Sequence, residues 1–156
     1  METLQLIGFG GFSYVNLKLL HANRLETNFF IGSLLITSGF LYRTYEFYQT
    51  EKYKTKYKVS KGHSFLGLFY LLSFLYPINR RHRQLNIIAV VGHLLLVKKN
   101  KYYDYGTLLL AIYYMIQILE NIKQDDENSK IRTVSAMCIL TFYLQELKKK
   151  NLIEKI

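Results

Sequence analysis

Six helix-length stretches of this chain carry no Lys, Arg, Asp or Glu: residues 3–17, 27–42, 62–79, 84–97, 105–119 and 133–145. The charges lie between them and at the chain ends. A soluble amphipathic helix interleaves charge with apolar residues at about every turn. Blocks that are apolar all round, with polarity confined to the connections, suit helices surrounded by lipid or by other apolar helices. The pattern predicts an all-α, polytopic transmembrane protein, a single domain over 1–156 with six short hydrophobic helices in three hairpins, 3–48, 62–98 and 102–148.

The stretches are short. They run from 13 to 18 residues, whereas crossing hydrocarbon takes roughly 17–25. Flanking residues extend them: Lys18 and Arg43 can bury their stems and send their charged heads to the interface. Tyr42, Tyr45, Tyr48, Tyr102 and Tyr103 stand at the edges, where amphipathic rings favour the headgroup level. The single proline, Pro77, falls near the end of the third stretch, where it stops a helix without breaking its interior. One cysteine, Cys138, excludes an intrachain disulfide. The start, Met1-Glu2-Thr3, shows no basic leader or Arg-rich presequence, so the first stretch is expected to be a retained helix.

Residues 50–61 read differently. Lys52, Lys54, Lys56 and Lys58 alternate with Tyr53, Thr55, Tyr57 and Val59, a period-2 pattern expected of an extended basic loop. Residues 148–156 read as a basic tail. If all six stretches cross, 13 of the 21 Lys and Arg residues fall on one side and 8 on the other. The basic-inside rule then puts both termini on the cytoplasmic or matrix face. The basic clusters (Lys52, Lys54, Lys56, Lys58; Arg80, Arg81, Arg83; Lys98, Lys99, Lys101) sit beside apolar helices and are expected to contact anionic headgroups, cardiolipin in a mitochondrion. Spread over both faces, they do not form the single basic surface that nucleic acid needs.

Small residues Gly8, Gly11, Ser33, Thr37 and Gly39 are expected at helix–helix contacts, where they let backbones approach. Gly8-x-Gly10-Gly11 lacks the strand–loop–helix setting of a phosphate loop. His93, alone inside the fourth stretch, raises haem ligation or proton relay. His63, His82 and His21 stand at edges or in loops, so no partner at matching depth is expected, and His93 reads as a neutral histidine bonded to Gln117 or a carbonyl. No paired carboxylates, metal-ligand cluster or nucleophile–base pair is visible, and every acidic residue is expected in a loop or at a helix end.

Composition adds one point about origin. Phe, Tyr, Met, Ile, Asn and Lys number 65, against 20 for Gly, Ala, Arg and Pro, a skew typical of AT-rich coding. The chain is therefore expected to be a non-catalytic accessory subunit of a multi-subunit mitochondrial inner-membrane complex, respiratory chain or ATP synthase. It would work in assembly, packing and cardiolipin binding, with other membrane subunits as partners and no cofactor, metal, nucleic acid or small-molecule substrate. The alternatives are a small membrane transporter or membrane-shaping homo-oligomer of the endoplasmic reticulum or another organelle, and a membrane haem or lipid enzyme using His93.

Overall fold

The computed structural model describes residues 2–22, 26–53, 59–76 and 83–150. Each charge-free stretch forms one helix: α1 (Glu2–Ala22), α2 (Thr27–Tyr53), α3 (Lys61–Leu75), α4 (Arg83–Leu96), α5 (Tyr103–Asn121) and α6 (Glu127–Lys149), with no strand among the described residues. Local chemistry sets several boundaries. Ser60, in an extended conformation, caps α3 by accepting from the His63 amide at 3.1 Å, leaving one fewer orphan donor in the first turn. Asp126 does the same for α6 through the Ser129 amide at 2.9 Å. The bonds from Ser129 hold its carboxylate below the usual range. α3 stops at Leu75 and is capped by Tyr76, the residue before Pro77, where the α conformation is disfavoured.

The helices close into a ring. Each packs its backbone against its two chain neighbours, α6 returns to α1, and among the described residues other helix pairs meet only through side chains. Directions alternate: the Ser60 amide at the start of α3 bonds the Val97 carbonyl after α4, and Lys18 late in α1 meets Glu127 at the start of α6 at 2.6 Å. An even number of alternating helices lets the closing pair be antiparallel as well. The core lies on the ring's inner side, with Phe9, Ile36, Leu66, Ala89, Leu110, Tyr114, Ile139 and Tyr143 all buried.

Three of the six seams are tightened by glycine. A methyl group on Gly8 would lie 2.6 Å from the Ser135 carbonyl oxygen of α6 and would also strike Ile139. On Gly39 it would lie 2.7 Å from Leu66 of α3, and on Gly106 2.9 Å from the Gly92 carbonyl of α4. Gly11 likewise faces Ser135. At the α1–α2 seam, Ser33 is buried and bonds the Asn16 carbonyl at 3.3 Å. Thr37 of α2 is half-buried, its hydroxyl without a hydrogen-bond partner among the described residues.

Three sequence expectations change here. No described helix is long and apolar enough to cross a membrane, so the six-helix, all-α architecture stands without support for six spans. The physical reason is twofold: α3 and α4 have only 15 and 14 residues, and the longer helices carry polar groups such as Gln5, Asn16, Arg43 and Glu46, buried within the ring. Second, α2 continues to Tyr53, so 50–53 are helical; of the expected extended loop, residues 54–58 lie outside the described residues. Third, Lys148 and Lys149 are the last turn of α6.

Glycine substitution separates seam from surface. Gly8→Ala should lower thermal stability by about 1–3 kcal/mol through overpacking, despite alanine's helix preference of about 1 kcal/mol. Gly10→Ala, whose methyl would meet Phe40 at an ordinary 3.5 Å, should be neutral or stabilising. Equal melting shifts for the two variants would refute the seam assignment.

Candidate functional site

A hydrogen-bonded set of buried polar groups that includes an ion pair lies at one end of the ring interior, the end where α1, α3 and α5 begin, while Asn16, Asn86, Gln117 and Asn121 are buried toward the other. Arg43 of α2 is 3% exposed. Its Nη1 donates to Glu46 Oε2 at 2.7 Å, and its Nη2 to Gln5 Oε1 of α1 at 2.9 Å. Gln5 Nε2 in turn donates to the Tyr143 hydroxyl of α6 at 3.1 Å. Glu46 accepts from the Ser60 hydroxyl at 2.7 Å and from the Gly62 amide at 3.2 Å. The carboxylate thus faces a guanidinium, a hydroxyl and the first amides of α3, which suits a buried anion at a helix N-terminus.

The chain of contacts continues into a histidine pair. His63 and His93, buried on α3 and α4, approach Nδ1 to Nδ1 at 3.1 Å. One nitrogen must donate and the other accept, so the neutral pair requires opposite tautomers. Tyr70 stacks on His93 with centroids 5.3 Å apart and planes 10° from parallel, and Phe9 of α1 reaches the same ring from across the bundle at 5.9 Å. His93 Nε2 is buried with no hydrogen-bond partner among the described residues. Beyond Tyr70 runs an aromatic column: its hydroxyl shares a 3.0 Å hydrogen bond with Tyr114. Tyr113 bonds Asn86 at 3.2 Å, and Tyr114 stacks toward Tyr143.

The arrangement corrects three expectations about single residues. His93 does have a histidine at matching depth. His63 begins its helix, but α3 and α4 run in opposite directions, so the start of one lies beside the end of the other. Its bond is to His63, not Gln117. Arg43 turns inward to Gln5 and Glu46 and does not send its head to an interface. Glu46 is neither in a loop nor at a helix end; it sits seven residues before the end of α2, buried. The visible signals were the i,i+3 pair Arg43–Glu46 and the repeated dipeptide Gly62-His63 and Gly92-His93.

The pair cannot sandwich a porphyrin in this geometry. Two axial imidazoles with metal–nitrogen bonds of about 2 Å place their nitrogens about 4 Å apart across the macrocycle. Here the nitrogens are in hydrogen-bond contact, and Tyr70 covers the face of His93. Nor do three His, Cys, Asp or Glu side chains converge to hold a metal among the described residues. The arrangement is suited to stitching the ring: side chains of α1, α2 and α6 bond one another, Ser60 and the Gly62 amide join them to the start of α3, and the histidine pair ties α3 to α4. The expected lipid-contacting lysines are elsewhere. Lys52, Lys98, Lys99 and Lys101 are exposed at the outer rim of this same end, and Arg83 is exposed at the opposite end. Lys54, Lys56, Lys58, Arg80 and Arg81 lie outside the described residues.

Compared with known proteins, the chain matches no protein-family model, no curated protein and no solved structure.

Two measurements check the site. Glu46→Ala leaves the Arg43 guanidinium buried without its counter-charge and should cost about 3–5 kcal/mol, with much of this recovered in Arg43→Met combined with Glu46→Leu. For the histidines, nitrogen-15 spectra of labelled protein should show one ring protonated at Nδ1 and the other at Nε2. Two rings both protonated at Nε2 would break the assigned bond.

Proposed function

We propose that this protein is a non-catalytic packing subunit, set among the apolar helices and lipids of a larger membrane assembly. The observation that carries this reading is the outer surface. Large apolar side chains are exposed on all six helices, among them Ile7, Phe30, Leu34, Leu41, Leu68, Leu75, Ile87, Leu94, Met115, Leu119, Val134 and Met137, each about half exposed. Polar groups instead occupy the ring interior. A soluble monomer rarely shows apolar area so continuous; a ring with an oily girdle and a hydrogen-bonded centre has apolar neighbours as its natural surroundings.

The girdle is shallow. Charge-free stretches of 13 to 18 residues rise about 20–27 Å at 1.5 Å per residue, less than the roughly 30 Å of hydrocarbon in a bilayer. Such a body either thins the surrounding lipid or takes protein neighbours. The second removes the mismatch cost, which favours a subunit over a free-standing protein. The AT-biased composition supports an organellar assembly, with the mitochondrial inner membrane the leading location and a respiratory or ATP synthase complex the leading host. In this reading the interior network serves specificity of assembly, because Arg43, Glu46 and Gln5 bond one another across α1 and α2.

Mild-detergent extracts of native membranes should show the chain co-migrating with a large complex on native gels. Release as a small free species, or recovery of a monodisperse monomer from detergent-free buffer, would defeat the proposal.

A further inference from the structure

The two ends of the ring differ in how their cations are used. At the end where α1, α3 and α5 finish, the described lysines are matched with acids: Lys18 with Glu127, Lys123 with Glu120 and Lys130 with Asp125. At the other end, lysines lie over tyrosine rings. Lys52 stands 5.2 Å from the centroid of Tyr48, Lys61 5.7 Å from Tyr42, Lys101 5.0 Å from Tyr102 and Lys150 5.1 Å from Tyr103. Lys61, Lys98, Lys101 and Lys148 are exposed there and form no ion pair with an acid among the described residues. Of the described acids at this end, Glu46 is buried with Arg43, Asp104 meets Lys150, and Glu146 meets Lys149 at 2.8 Å, which leaves Glu2 and Glu51 outside any ion pair among the described residues.

We propose that this lysine–tyrosine rim binds the headgroups of anionic phospholipids and so fixes which way the ring faces. The inference rests on the apolar girdle described above, because the rim stands directly at its edge. A tyrosine there lays its ring against acyl chains and its hydroxyl among headgroups. The ammonium over it is held at that level, by the ring's negative face and by its own flexible stem. Basic residues near an anionic leaflet gain about 1 kcal/mol each. At the opposite end the described lysines are matched to acids, which offsets this pull, and Arg83 lies over the Phe74 ring. Nucleic acid fits less well: the cations are distributed around the circumference of a ring, and the tyrosine faces that bases would stack on are already covered by lysine.

The experiment uses the full-length protein with vesicles of phosphatidylcholine, with and without a one-third share of phosphatidylglycerol, and measures partitioning at low and high salt. Wild type should prefer the anionic vesicles, and salt should weaken the preference. Combining Lys61→Gln, Lys98→Gln, Lys101→Gln and Lys148→Gln should reduce it by on the order of several hundred-fold, taking roughly fivefold for each lysine. Arg83→Gln with Lys123→Gln and Lys130→Gln at the other end should change it less than threefold. All variants are surface changes, and unchanged helical circular dichroism verifies folding. No preference for phosphatidylglycerol, equal losses at both ends, or tighter and equally lysine-dependent binding to a single-stranded RNA would each overturn the inference. A water-soluble monomer that still shows the lysine-dependent preference would sink the packing reading and leave the rim standing. A chain that co-migrates with a complex but ignores lipid charge would do the reverse.

Discussion

A ring of six helices has no helix on its axis, so its centre must be filled by side chains alone, and everything else in this protein follows from how that is done. Backbones of non-neighbouring helices do not touch. Instead Phe9 reaches from α1 to His93 on α4, Phe12 to Tyr114 on α5, and Tyr70 from α3 to both Tyr113 and Tyr114. Only large, flat side chains span such a gap at interior packing density. Among the described residues, Phe9, Phe12, Tyr70, Tyr113, Tyr114 and Tyr143 fill the axis, while Tyr42, Tyr48, Tyr102 and Tyr103 lie beneath lysines at the rim.

The polar end of the lumen is the costlier half of the solution. Removing Arg43 and Glu46 from water carries a desolvation penalty that their attraction alone need not offset. The structure surrounds them with further partners: Gln5 bonds the guanidinium, Ser60 and the Gly62 amide bond the carboxylate, and Tyr143 bonds Gln5. Those partners come from α1, α2, the cap of α3 and α6, so the bonds tie four elements together at this end. Aromatic filling is tolerant of small shifts, whereas this network is not.

Much of the fold was legible in the sequence, and for a definite reason. Segregation of charge marks helix cores and connections whatever surrounds them, so all six helices and their alternating directions could be read from residues 3–145. Gly8 and Gly39 could be picked out because small residues inside apolar helices have few other uses. What could not be read was the third dimension. Nothing local distinguishes an Arg43 that reaches outward from one that folds inward to Gln5, thirty-eight positions away. His63 and His93 are thirty residues apart, and they meet only because α3 and α4 are antiparallel and of nearly equal length. The same closure explains why hydropathy alone misleads: it counts Gln5, Arg43 and Glu46 as polar without knowing that they bond one another inside the ring.

The seam between α1 and α6 has a consequence for biogenesis. Gln5 meets Tyr143 across 138 positions, and Gly8 waits for Ser135 and Ile139, so the last helix to leave the ribosome is the keystone of the arch. The ring is therefore closed by contacts between its first and last helices, the pairing of greatest sequence separation in the fold.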